Sequence, residues 1–291
     1  MSDILKKIEK GPLLFDGAMG TMLMDRGIRP GETAETWVLN RPNEIAAVHE
    51  AYFAAGADFA TTATFGATSI KLSHYGLSDR AAEINRRGAE LARSVCPVGR
   101  FVAGDIGSAG KLLAPAGDVD EGELKRAFTE QAQALAEGGV DCIIIETMMD
   151  VNEALIALSA ARATGLDVFV TISFNKKPRG YFTIMGNKPA DAARALADAG
   201  AAAVGTNCNL RIGDMIDVVA EMAGAVDIPV IAQPNAGNPE TEGGVTTYID
   251  GPDVYGRMTP ELIRAGARVV GGCCGTTPET IRRMREVIDT L

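Results

Sequence analysis

Gly266-Ala267-Arg268-Val269-Val270-Gly271-Gly272-Cys273-Cys274-Gly275-Thr276-Thr277-Pro278-Glu279 carries a whole structural joint in fourteen residues. A glycine ends one helix, a short apolar strand follows, and a glycine-flanked cysteine pair leads into the next helix. Thr277, Pro278 and Glu279 read as N-cap, first-turn proline and acidic first turn. The same entry to a strand recurs at Gly56-Ala57-Asp58, Gly139-Val140-Asp141 and Gly200-Ala201. Glycine just past a helix end supplies the left-handed residue that stops it. Working outward from this joint, eight short runs read as strands: Leu13 to Asp16, Phe59 to Thr64, Phe101 to Asp105, Cys142 to Glu146, Val168 to Phe174, Ala202 to Asn207, Pro229 to Gln233 and Arg268 to Gly272. Most are continuous in apolar character, as parallel strands covered on both faces are. Alanine-rich helical patterns lie between them, among them Glu44 to Ala55, Glu121 to Glu137, Asn152 to Ala163 and Ala190 to Ala199. Eight strand-helix units predict an α/β fold, a (β/α)8 TIM barrel forming a single domain over residues 1–291. A doubly wound sheet is the alternative, and strand count separates the two.

In a barrel the chemistry sits where the strands end. Polar residues gather there: Asp16, Asp105, Glu146, Asn207 with Cys208, Asn235, and Cys273 with Cys274. Three thiols at two strand ends match a Zn²⁺ site with three protein ligands and one open position. Adjacent residues of a regular strand face opposite ways, so the glycines are expected to let the backbone leave extended geometry. Adjacent cysteines can equally be two small buried hydrophobes. Cys208 and the flanking glycines shift the balance toward metal. Cys142, opening Cys142-Ile143-Ile144-Ile145, and Cys96 before Pro97 fit a packing role. No strand carries a lysine at its end, which disfavours Schiff-base chemistry. His49 and His74 are given no site role. Met22, Met24, Met148 and Met149 fit packing better than a donor platform.

The chain has 291 residues, 46% of them hydrophobic, and no low-complexity stretch divides it. Its net charge of −10 argues against non-specific nucleic-acid binding, which needs clustered cations. Residues 2–10 read as a short amphipathic helix rather than a signal sequence, and no run suits a membrane span. An odd count of five cysteines then fits a reducing, cytoplasmic setting.

Asp16-Gly17-Ala18-Met19-Gly20-Thr21, Thr64-Phe65-Gly66-Ala67-Thr68, Gly104-Asp105-Ile106-Gly107, Glu146-Thr147, Asn207-Cys208, Pro234-Asn235-Ala236-Gly237 and Gly271-Gly272-Cys273-Cys274-Gly275 fall in one order. In that order and spacing they resemble the homocysteine S-methyltransferase family over nearly the whole chain. The likeness is greatest to the homocysteine module of its cobalamin-dependent branch. The resemblance implies zinc held by Cys208, Cys273 and Cys274, with homocysteine sulfur as fourth ligand, and no other cofactor. It implies catalytic or substrate-contacting roles for Asp16 and Glu146 at the amino group and for Gly17, Ala18, Gly20 and Thr21 at the carboxylate. Asn207 and Asn235 belong to the same set, Asn235 as a stand-in ligand when substrate is absent. Asp16 and Asp105 are also ordinary turn residues, and for Asp105 the two readings stand level. A carboxylate after three isoleucines, Glu146, needs a partner or a task.

The donor expected from the resemblance is methylcobalamin on a separate corrinoid protein. Direct transfer from S-methylmethionine or a betaine is the alternative, as is a non-catalytic homocysteine-binding subunit. Two departures bear on this choice. Ala63 stands where the cobalamin branch commonly has Asn, and Thr147 stands where the betaine branch commonly has Tyr.

Overall fold

The computed structural model describes residues 1–29, 31–111, 113, 117, 119–237, 240–242 and 245–291. Eight parallel strands carry the fold: β1 (Leu13–Leu14), β2 (Phe59–Thr61), β3 (Phe101–Ile106), β4 (Cys142–Met148), β5 (Asp167–Ile172), β6 (Ala203–Arg211), β7 (Val230–Asn235) and β8 (Ala267–Val270). Their ladder runs β1-β8-β7-β6-β5-β4-β3-β2, so the first two strands form the seam. The seam is closed largely by carboxylates. Asp58 N–H donates to Leu14 O at 2.7 Å, while Leu14 N–H donates to Asp58 Oδ2 at 2.9 Å. One turn higher, Thr61 donates its N–H to Asp16 Oδ2 at 2.7 Å and its hydroxyl to Asp16 Oδ1 at 2.6 Å. Side chains thus satisfy backbone groups that a two-residue β1 cannot pair. The closed ring excludes the doubly wound alternative.

Period-two alternation sorts the strand residues. Phe15, Phe59, Phe169, Ala103, Cys142, Ile144, Ala203, Ile231 and Val269 share one buried cluster inside the barrel. Phe15 stacks on Phe59 with ring centroids 4.4 Å apart, and Phe169 meets Phe59 edge-on at 6.3 Å. Ile4 and Ile8 join this cluster from the helix Asp3–Lys10, whose first turn is capped by Ser2. That helix therefore seals the lower end of the barrel, as its amphipathic pattern allows. The alternate residues Ile143, Ile145, Val168, Val170, Val204 and Val270 face outward onto helical alanines such as Ala154, Ala157 and Ala161. Alanine lets helices lie close to the strands.

Every predicted strand is present, with shifted ends. β1 and β2 stop early because Asp16 and the residues after Thr61 turn toward the seam. β6 runs on to Arg211 through an irregular step after Asn207. Two antiparallel hairpins go beyond the predicted set: Asn175–Lys177 with Gly180–Phe182, and Glu240–Glu242 with Val245–Thr247. Their short strands are largely polar and lack the apolar alternation by which a strand is read.

Candidate metal centre and substrate cavity

Cys273 and Cys274 reach one site because they sit on a turn, beyond the strand. Thr276 N–H bonds back to Cys273 O at 3.1 Å, and Gly275 holds φ 82°. A left-handed glycine at the third turn position is what a type II turn requires. Gly271 and Gly272 serve a different purpose from the one expected. They are needed for close approach, since a Cβ on Gly271 would lie 2.7 Å from Phe15 Cβ, and one on Gly272 2.4 Å from Thr276 Oγ1. The left-handed bend falls across the site instead. Cys208 (φ 60°) and Asn209 (φ 53°) adopt it, and so does Thr147 (φ 57°) after Glu146. Each costs about 1 kcal/mol or more in a residue with a Cβ. The result aims Cys208 at the other two thiols.

The three Sγ atoms lie within 4.8 Å of one another, with Cys208 and Cys274 at 4.0 Å. Tetrahedral zinc with Zn–S near 2.3 Å needs sulfurs roughly 3.8 Å apart, so the spacing fits. The thiols titrate together. S–H donation from Cys273 and Cys274 holds the Cys208 thiolate down, to about 3. Hydrogen bonding to Cys208 pushes Cys274 up to about 12 and raises Cys273 well above the ordinary thiol range. Such a set gains most from a bound divalent cation, which favours all three anions at once.

Asn207 organises the surroundings. Its Oδ1 accepts from Thr147 N–H and Thr171 Oγ1, both at 2.8 Å. Its Nδ2 donates to Thr147 Oγ1 at 2.7 Å and approaches Glu146 Oε2 at 3.4 Å and Cys273 Sγ at 4.0 Å. The amide therefore pins the strained Thr147 turn and backs two site residues. Asn235 Oδ1 accepts Cys274 N–H at 3.1 Å, and its side chain also bonds Cys208.

Beside the thiols lies a cavity of about 430 Å³, lined by Asp16 to Thr21, Glu35, Ala63, Phe65, Asp105, Glu146, Thr147, Gln233 and Tyr248. A larger hollow of about 880 Å³ on the outer helices, around Ser69 and Arg126, gathers no such chemistry. The first loop is stitched to the cysteine loop. Ala18 N–H donates to Thr276 Oγ1 at 3.2 Å, Gly275 N–H to Thr21 Oγ1 at 3.0 Å, and the Tyr52 hydroxyl reaches the carbonyls of Ala18 and Thr276. Gly17 permits this, since a Cβ there would lie 2.6 Å from Thr276 Oγ1. Ala18 begins the helix Met19–Asp25 without a side-chain cap. Its first-turn N–H groups thus lack intrahelical partners.

Burial pushes Asp16 up to about 7, opposed by the Thr61 bonds. Burial, then the charges of Cys208 and Asp16, push Glu146 up to about 8. Asp105 is driven well above the carboxylate range by burial and by Glu146, Glu35 and Asp16. The sign for Glu146 follows directly. Its pKa in the fold exceeds its usual value of 4.5, so the native state holds the extra proton. Its contribution to stability is full below about pH 4.5 and is lost as pH rises through about 8. Glu146→Gln removes that loss. In chelator, urea unfolding should place the two proteins level at low pH and E146Q ahead by about 3 kcal/mol in mildly alkaline buffer. A pH-independent difference would contradict the assignment.

The structure thus brings Asp16, Gly17, Ala18, Gly20, Thr21, Glu146 and the three cysteines around one cavity. Asn207 and Asn235, expected among substrate contacts, stand behind the lining. His49 is wholly buried, neither ring nitrogen has a partner among the described residues, and burial pushes it down to about 4. The homocysteine S-methyltransferase family model matches residues 13–288. The chain belongs to that family. Methionine synthases of Mycobacterium leprae and Mycobacterium tuberculosis are both 29% identical over 99% and 100% of this chain. The chain spans about a quarter of their length, 25% and 26%. The metallated form of the homocysteine methyltransferase MmuM from Escherichia coli shares the fold. Its TM-score is 0.80 at 23% identity, covering 98% of this chain and 99% of that one. Its apo form gives a TM-score of 0.72, over 95% and 96%.

Within this family frame, four lining residues were missed by sequence reasoning. Gln233 carried a signal, being polar at the end of Val230-Ile231-Ala232. Thr61, Glu35 and Tyr248 carried none. Glu35 in particular looks like an ordinary first-turn acid of the helix Ala34–Asn40.

Proposed function

We propose that this chain methylates homocysteine to methionine, with Zn²⁺ on Cys208, Cys273 and Cys274 and a methyl group from methylcobalamin on a separate corrinoid protein. The observation that carries the reading is the trio of thiols, at zinc-compatible spacing, beside an acid-lined cavity on the strand-end rim. Bound zinc supplies the acidity that turns the substrate thiol into a nucleophile near neutral pH. The residues of the chain do the rest. Asn207 and Asn235 hold the cysteine loops in register. The acids receive the substrate ammonium, and the first-turn N–H groups from Met19 to Thr21 receive its carboxylate. One S–CH3 bond forms, the donor's bond to methyl breaks, and the thiol proton passes to solvent. The thiols must stay reduced, so a cytoplasmic setting belongs to the reading. Among the described residues no helix is long and apolar enough to cross a membrane.

A bulky donor fits the rim better than a small one. Met24, Met149, Ile184, Met185 and Ile249 are exposed, and all lie in segments that follow barrel strands. Met24 among them lines the cavity, and exposed apolar side chains at a site mark a docking face. Metal analysis and a donor comparison test the proposal. Stoichiometric zinc is expected, with methionine formed from a methylated corrinoid protein and far more slowly from S-methylmethionine or glycine betaine. Fast turnover with a small donor and none with corrinoid would overturn the donor. Zinc-free protein that cannot be reconstituted would overturn the whole reading. Homocysteine binding with no productive donor would favour a binding subunit.

A further inference from the structure

Where β6 and β7 part company, the chain spends extra residues on one side. Asn207 pairs with Gln233, and the next pairing joins Arg211 to Asn235. Between these pairs β6 has Cys208, Asn209 and Leu210 where β7 has Pro234 alone. Cys208 and Asn209 are both left-handed. Such a bulge re-aims a side chain, and it persists only if its surroundings hold it. Asn207 fastens the near end. At the far end the Arg211 guanidinium grips the Asp250 carboxylate, through Nε at 2.7 Å and Nη2 at 2.5 Å. The arginine side chain is half exposed, whereas the carboxylate is 3% exposed. Two parallel bonds from one planar fork fix direction as well as distance, which a lysine does not.

Asp250 is tied inward in turn. Its N–H donates to Ala236 O at 2.8 Å, and Ala236 N–H donates to Cys274 O at 2.9 Å. In the same stretch Pro234 O accepts the Cys273 N–H at 2.8 Å and the Tyr255 hydroxyl at 2.8 Å. Residues Pro234 to Ala236 therefore form a rack on which the cysteine turn hangs, and Asp250 is bonded to that rack. The bulge carrying one thiol is thus joined, through one ion pair, to the backbone that holds the other two. We infer that the Arg211–Asp250 pair is a positioning clamp for the metal centre, keeping the Cys208 thiol against the Cys273–Cys274 turn. This clamp rests on the proposed metal site but lies outside both the thiols and the cavity lining.

The experiment compares Arg211→Met, Arg211→Lys and Asp250→Asn with Asp141→Asn, which breaks the Arg93–Asp141 pair at the entry to β4. Zinc affinity, read by chelator competition, should fall about tenfold in R211M and D250N, the scale for losing a group that orients a ligand. R211K should lose only about threefold, since it keeps the charge without the fork. The double variant R211M/D250N should bind zinc no more weakly than either single, because one interaction is lost in all three. In cobalt-loaded protein the thiolate charge-transfer band should weaken in the clamp variants and stay unchanged in D141N. D141N should unfold at lower urea yet keep its zinc. Wild-type zinc affinity and an unchanged cobalt band in folded R211M and D250N would overturn the clamp, as would an equal zinc loss in D141N. Should D250N fail to fold, R211M decides, its side chain being half exposed. A wild type that loads cobalt on its thiolates but holds no zinc would sink the zinc reading, and the cobalt comparison would still judge the clamp. A wild type that binds neither metal overturns both.

Discussion

Cys208→Ser, Cys273→Ser and Cys274→Ser should each abolish zinc retention and methyl transfer, the largest effect expected of any single substitution here. The three thiols converge within 4.8 Å from two separate strand ends, so no neighbouring sulfur can replace a lost one. Cys142 lies in the barrel interior and Cys96 is half-buried outside the thiol trio. Serine offers a neutral hydroxyl of nearly the same size, which isolates the loss of thiolate charge from any loss of volume. A structural zinc set contributes on the order of 10 kcal/mol or more, so removing one anionic ligand of three should weaken binding by about 10³-fold. Activity should fall by at least a similar factor, because an unassisted alkyl thiol is mostly protonated near neutral pH. Zinc titration against a chromophoric chelator and a methionine assay read the two effects. Cys142→Ala and Cys96→Ala serve as contrasts, and both should keep full zinc. If one of the three serine variants retained zinc at wild-type affinity, the ligand set would be wrong. The fold should survive in all three, since the barrel core is built from other residues.

The barrel was legible because buried parallel strands leave long apolar runs and each is entered past a helix-ending glycine. Cys142-Ile143-Ile144-Ile145-Glu146 shows why the site was partly legible as well. A carboxylate at the end of such a run has no structural excuse, and it lies in the cavity. Asp16 shows the limit of that logic. It ends a strand as Glu146 does, yet both its oxygens close the seam with Thr61, 45 positions away. Nothing local announces a contact of that range. Asp58 is similar. It reads as the polar residue after a helix stop, but it pairs with Leu14, Arg100 and Arg285 at the same seam. The left-handed turn at Cys208 was invisible for another reason. A non-glycine residue there carries no sequence mark, and the conformation persists because Asn207 and its partners over-determine it.

Asn207→Ala should therefore be the most damaging change outside the thiols, even though the side chain does not line the cavity. Truncation removes two acceptances and the donation to Thr147, leaving the Thr171 hydroxyl and the Thr147 N–H unpaired in a buried region. Each such orphan costs about 1–3 kcal/mol. The left-handed Thr147 also loses the bonds that hold it, and an alternative backbone is available as soon as they go. Stability should fall by about 3–4 kcal/mol, read from urea midpoints. Zinc should weaken by about 10- to 100-fold, the usual scale for losing a group that orients a ligand. Homocysteine affinity should fall as well, since Glu146 precedes the released turn. Asn207→Asp is the discriminating variant. It keeps the acceptor but replaces the donor to Thr147 with a negative charge beside Glu146 and Cys273. If the amide acts only by filling space, D and N will behave alike at this position. If it acts as argued, N207D will keep much of the packing and still lose zinc and homocysteine, more steeply as the pH is raised.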